Sequence, residues 1–97
     1  MTTITKTKIS LIQKLRAVES QIGNTPLIPV LNLHKNPGVK IFAKEEWKQL
    51  SGSVKARAAF NIIKQAILNG ELDEDKTLLD ATSGNTGIAY AYIGSVL

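Results

Sequence analysis

The period of the apolar residues changes at each break in this chain, and that alternation limits the architectures open to it. Ile9, Ile12, Leu15, Val18 and Ile22 recur at three- and four-residue spacing, which marks one face of a helix, with Ser10 as a candidate cap. Gly23-Asn24-Thr25-Pro26 ends it, because glycine and proline oppose helix continuation and asparagine tolerates turn geometry. Leu27 to Leu33 then reads as a strand, confined to an edge by Pro29. Asn36-Pro37-Gly38 is a turn, and Val39 to Lys44, rich in β-branched residues, reads as a second strand packed inside a sheet. Gly52-Ser53 introduces a helix that runs to about Asn69, where Asn69-Gly70 supplies a stop. Its expected buried side is Val54, Ala58, Ile62 and Ala66, with Ile63 and Ile67 one residue further round. Thr77 to Ala81 reads as a buried strand, Thr82 to Gly87 as a loop, and the residues from about Asn85 as a last helix. Strands alternating with helices imply a parallel sheet in an α/β fold.

The last helix is the anomaly. Ile88 to Leu97 is predominantly apolar all round and stops without a cap or polar exit. A helix of that kind is normally enclosed by protein, so the expectation is a fragment: residues 1–97 as one N-terminal piece of a larger unit, with 1–22 as a helical segment within it. A chain of 97 residues buries only about 60–65% of its unfolded surface and is marginal alone.

Hydrophobic content of 43% with 21% charged residues is ordinary for a folded protein and unlike disorder. The chain has no cysteine, which removes disulfides, thiolate catalysis and cysteine metal ligands, and leaves the cytoplasm as the expected location. No apolar run approaches the ~20 residues of a membrane span, and MTTITKTKIS lacks the apolar core of a secretory signal. The net charge of +4 is uneven: residues 1–44 carry seven basic residues against Glu19 alone. Those lysines are scattered singly without interleaved aromatics, so they read as a solvated face and no nucleic-acid partner is expected. His34 has no second ligand-type residue at metal spacing, and no metal is expected. Trp47 reads as a packing residue beside the 51–57 loop, and Glu45-Glu46 and Asp73-Glu74-Asp75 as solvated loop charges.

Two loops carry candidate chemistry. Ser51-Gly52-Ser53-Val54-Lys55-Ala56-Arg57 places a lysine in the first turn of a helix, beside small residues that let another molecule approach the backbone. An ammonium ion at the positive end of a helix dipole loses roughly 0.3–1 kcal/mol. A lysine that reacts with an aldehyde gains from that, since the neutral amine is the nucleophile. On this segment alone, a surface lysine whose stem carries its charge to solvent is the stronger reading. Thr82-Ser83-Gly84-Asn85-Thr86-Gly87 follows a strand pattern and opens a helix, so its N–H groups and hydroxyls can converge on an anion such as a carboxylate. A polar turn with a helix cap accounts for the same residues.

Ile22-Gly23-Asn24-Thr25-Pro26-Leu27, Ser51 to Arg57 and Thr82 to Gly87, in that order and approximate spacing, resemble the fold-type II pyridoxal-phosphate (PLP) enzymes, and most closely the cysteine synthase and cystathionine β-synthase family. The resemblance runs from about Ile9 to Leu97. It implies an incomplete parallel-sheet α/β unit of the tryptophan synthase β-like fold. It also implies that Lys55 holds PLP as a Schiff base and moves the substrate α-proton. Asn85 would bind the cofactor's ring hydroxyl, and Thr82, Ser83, Asn85 and Thr86 the substrate. The implied reaction is β-replacement on an activated serine, as in cysteine biosynthesis, by a homodimeric parent enzyme acting on a small amino acid. Serine or threonine dehydratase, threonine synthase and other β-replacing synthases are the alternatives within the family. A non-catalytic α/β module that binds an anion or a partner chain is the alternative outside it. Ala56 stands where the family usually has Asp, which puts the local support of Lys55 in question, and Gln49-Leu50 replaces the usual Asn-Pro. The glycine-rich loop for the PLP phosphate is not among the 97 residues.

Overall fold

A computed structural model describes residues 3–82 and 84–97, with the backbone alone for residues 3–9. Five elements matter here: α1 (Thr3–Glu19), β1 (Leu27–Pro29), β2 (Phe42–Lys44), α2 (Lys55–Leu68) and α3 (Asn85–Val96). A single 3-10 turn, Glu46–Lys48, lies between β2 and α2.

The three helices make the core. Leu11, Leu15 and Val18 of α1, Ala59, Phe60, Ile63 and Ile67 of α2, and Ala89 and Ile93 of α3 form one buried cluster, with Ile22, Leu50, Leu72, Tyr90 and Leu97 packed at its margin. Removing each large side chain from water stabilises the fold by about 1.5–3 kcal/mol. Glu19 and Lys64, 2.5 Å apart, tie α1 to α2 at the surface.

The end of α2 follows from its sequence. Asn69 closes the helix, Gly70 takes φ +76, and the Glu71 N–H donates to Ala66 O at 2.8 Å. That is a Schellman stop, and it requires the left-handed backbone that glycine adopts without cost. The buried face differs from the expected one. Val54, Ala58 and Ile62 are exposed, while Ala56, Ala59 and Phe60 join Ile63 and Ile67 inside. Both faces of α2 carry apolar residues at helical spacing, and the aromatic ring of Phe60 goes where α3 can cover it. On α1, Leu11 is buried and Ile12 is only partly so, while Leu15 and Val18 are buried as expected.

Helices with a small sheet fit the expected α/β unit, and the pairing within the sheet is what differs from expectation. Among the described residues β1 and β2 pair antiparallel, Leu27 opposite Lys44, Ile28 opposite Ala43 and Pro29 opposite Phe42. Both strands are shorter than expected, and Phe42 is half exposed rather than inside a sheet. Pro29 has no N–H to donate, which suits an edge. Thr77 to Ala81 forms no strand: every residue from 73 to 81 is exposed, Leu79 by 94%. A parallel strand must share hydrogen bonds with neighbours in a sheet, and no other segment of the described residues offers them.

Candidate active site

The loop that carries Lys55 is built from three segments far apart in sequence. Glu46 is its hub. Its carboxylate accepts from Thr25 Oγ1 at 3.1 Å, Gln49 Nε2 at 2.8 Å, Arg57 Nε at 3.3 Å and Arg57 Nη2 at 3.0 Å. The guanidinium thus addresses both carboxylate oxygens, the geometry that makes arginine–carboxylate pairs strong and directional. Arg57 Nη2 also donates to Thr25 Oγ1 at 3.4 Å, Gly23 N–H donates to Gln49 Oε1 at 2.9 Å, and Lys44 Nζ donates to Thr25 O. Thr25 and Gln49 are buried, 6% and 5% exposed, so these contacts satisfy polar groups that water does not reach.

Hydrogen bonds from Arg57 first, then from Gln49 and Thr25, and the Arg57 charge hold the Glu46 carboxyl well below the usual range, at about 2, against a smaller upward push from desolvation. Four donors to the charged form are the physical reason. Gly23, at φ +78, backs onto this network: a Cβ there would stand 2.9 Å from Arg57 Nη1.

Sequence reasoning missed this hub. Glu46 read as a solvated charge and Gln49 as a departure from the family pattern, yet together they join the 23–26 turn to the start of α2. Trp47, expected to pack beside the loop, is 60% exposed. Ala56 is fully buried, so a carboxylate in its place would be desolvated. Support for the Lys55 turn comes from Arg57 instead.

Lys55 is the first residue of α2 and is exposed. Its N–H donates to Ser53 Oγ at 3.2 Å, while its amine makes no hydrogen bond or ion pair among the described residues. Gly52 has φ +87, and the space at its Cβ position is open to 4 Å. Ser51 Oγ, four residues before Lys55, is buried without a partner among the described residues, a state that costs about 1–3 kcal/mol unless a partner is supplied.

Asn85 opens α3 and is exposed; Thr86 follows it, partly buried. Gly84 is the N-cap, and among the described residues no side chain caps the helix. Thr82 turns back on its own loop: its Oγ1 accepts from Gly84 N–H at 3.4 Å, and its Cγ2 would stand 2.4 Å from a Cβ on Gly87. Ser83 lies outside the described residues. A cleft of about 820 Å³ opens between the 72–80 segment and the helices, and Leu11, Ile63, Leu79, Tyr90 and Thr82 line it. Lys55 and Asn85 are not among its walls. Lys55 and Asn85 begin two helices that pack on each other.

An exposed, unpaired amine beside an open glycine, an amide and hydroxyls at a second helix start, and a buried hydroxyl awaiting a partner suit a molecule with an aldehyde and hydrogen-bonding oxygens. Comparison with known proteins gives the chain a family. Residues 18–97 match the model of the pyridoxal-phosphate dependent enzyme family, and the chain belongs to that family. Within it the chain is similar to cysteine synthase B of Salmonella typhimurium, at 43% identity over 84% of this chain and 27% of that protein. It is also similar to a putative mitochondrial cysteine synthase of Saccharomyces cerevisiae, at 46% identity over 82% of this chain and 21% of that protein. Among solved structures, a hydrogen sulfide-producing enzyme of Fusobacterium nucleatum matches with a TM-score of 0.75 and 40% identity, over 81% of this chain and 26% of that one. The chain thus spans about a quarter of the length of these relatives. No helix among the described residues is long and apolar enough to cross a membrane.

Proposed function

We propose that residues 1–97 form the N-terminal part of a cysteine synthase-like enzyme that performs PLP-dependent β-replacement on an activated serine. The carrying observation is the amine of Lys55, exposed and unpaired on a turn that buried polar contacts hold in place. PLP, when bound, supplies an electron sink for carbanion chemistry. Everything else falls to side chains of this chain. Lys55, in its neutral form, would hold the cofactor by its amine and then move the substrate α-proton at the same nitrogen. Asn85 would donate its amide to the ring oxygen. Thr82, Ser83, Asn85 and Thr86, with the free N–H groups at the start of α3, would receive the substrate carboxylate, as helix starts receive anions.

Support comes from the family match and from cysteine synthases among the relatives. The cytoplasm is the proposed compartment, which suits a cysteine-free chain, and a homodimer is the assembly that the family resemblance implies. The rival reading, a partner-binding α/β module, draws on the exposed Ile88, Tyr92 and Val96 of α3.

Titrating the intact chain with PLP separates the two. The enzyme reading expects visible absorbance that disappears in Lys55→Ala and responds to an activated serine in the unsubstituted chain. An identical spectrum in Lys55→Ala, or no Lys55-dependent spectrum even with a complementing C-terminal half, favours the module.

A further inference from the structure

The start of α2 is closed by short-range bonds within its own turn: the Ala56 N–H donates to Ser53 O at 3.3 Å and the Arg57 N–H to Val54 O at 3.1 Å. Val54, its N-cap, makes no side-chain capping bond, and Ser53 Oγ reaches only the N–H of Lys55. Such local bonds tighten the turn but do not anchor it to the rest of the chain, and helix ends fray unless something outside holds them. Lys55 sits in that turn. Ala56, beside it, is apolar and fully buried, so it offers no polar tether.

One side chain of the turn reaches out to a fixed partner. Arg57, two residues beyond Lys55, engages both oxygens of Glu46, at 3.0 and 3.3 Å. Glu46 is itself fixed from the other side by Thr25 Oγ1 and Gln49 Nε2, and Gln49 by the Gly23 N–H. Among the described residues this is the one ion pair that the first turn of α2 makes. Its guanidinium fork matches the carboxylate in plane as well as charge, so it restrains rotation of the turn, which a single ammonium cannot do.

We infer that Arg57, gripped by Glu46, is a positioning residue for Lys55: it keeps the first turn of α2 formed, so that the lysine amine is presented to PLP from a fixed origin. This rests on the cofactor reading above and adds to it the group that does the aiming. Arg57 touches neither cofactor nor substrate in this account.

The test uses the intact 97-residue chain. PLP is added, the adducts are fixed with borohydride, and the share of label on Lys55 relative to the other lysines is read by peptide mass mapping. Amide exchange at residues 55–58 is followed in parallel. Arg57→Met is expected to lower the Lys55 share by about two- to fivefold, the change that a partly exposed ion pair supports, and to speed exchange in the first turn. Arg57→Lys keeps the charge but loses the fork, and is expected to behave like Arg57→Met. Lys64→Met breaks the Glu19 pair on the same helix and should leave the share unchanged.

An undiminished share in Arg57→Met, or an equal fall in Lys64→Met, overturns the positioning role while leaving the cofactor reading intact. Label absent from Lys55 in the unsubstituted chain overturns both.

Discussion

The 23–57 region and the 72–84 segment carry the two halves of one candidate site, yet they are held in opposite ways. Around Lys55, contacts between residues up to 32 positions apart close a polar network over buried Thr25 and Gln49. Around Thr82 and Asn85 the bonds are local: Asp75 N–H to Asp73 Oδ1, Lys76 Nζ to Glu71 O, and Gly84 N–H to Thr82 Oγ1. The contrast has a physical source. Thr25, Glu46, Gln49 and Arg57 satisfy one another, whereas a segment patterned as a parallel strand can satisfy its backbone only against neighbours in a sheet. The lysine half of the site is organised by contacts distant in sequence, and the asparagine half by local ones.

The largest effect that would sharpen this contrast is a cavity behind the Lys55 helix. Ile63 is 1% exposed, and Ile63→Ala is expected to cost about 2–5 kcal/mol, read as a lower midpoint in urea. Gly23→Ala should follow: left-handed backbone with a side chain costs roughly 1–2 kcal/mol, and the new methyl group also displaces the Arg57 guanidinium. A fall in stability together with faster amide exchange at 55–58 checks it.

Acid probes the same hub more gently. The Glu46 carboxyl is depressed to about 2 in the folded chain and titrates near 4.3 when unfolded. Its stabilisation is therefore complete above about pH 4.3 and is lost as pH falls toward 2. Thermal midpoints measured through that window should decline less steeply in Glu46→Gln, whose amide has no proton to take up. The smallest effect belongs to the other region: Leu79, 94% exposed, should give Leu79→Ala within about 0.5 kcal/mol of the unsubstituted chain. A large loss there would mean that the segment is packed.

The helices were legible in the sequence because stops and apolar spacing are local signals, although Ser10, read as a cap, lies within α1 (Thr3–Glu19). Gly70, Asn85 and the Asn36-Pro37-Gly38 turn all stand where their chemistry places them. The buried face of α2 was not legible, since Val54, Ala58 and Ile62 are as apolar as the face that is covered, and only the approach of α3 decides between them. The parallel sheet was inferred from alternation, but pairing is a property of neighbours. Glu46 escaped notice for a related reason: its importance comes from Thr25 and Arg57, 21 and 11 residues away. Lys55 was singled out only through the order of three motifs, because a lone lysine in a helix turn looks like any surface lysine.

The account turns on a Lys55 turn built to receive PLP while the 77–81 segment stays open. Residue-resolved hydrogen exchange on the intact chain, with and without PLP, tests that directly. Slow exchange at 55–58 that slows further with PLP, beside fast exchange at 77–81 in both states, is the predicted result. Fast exchange at 55–58 that PLP leaves unchanged would contradict it.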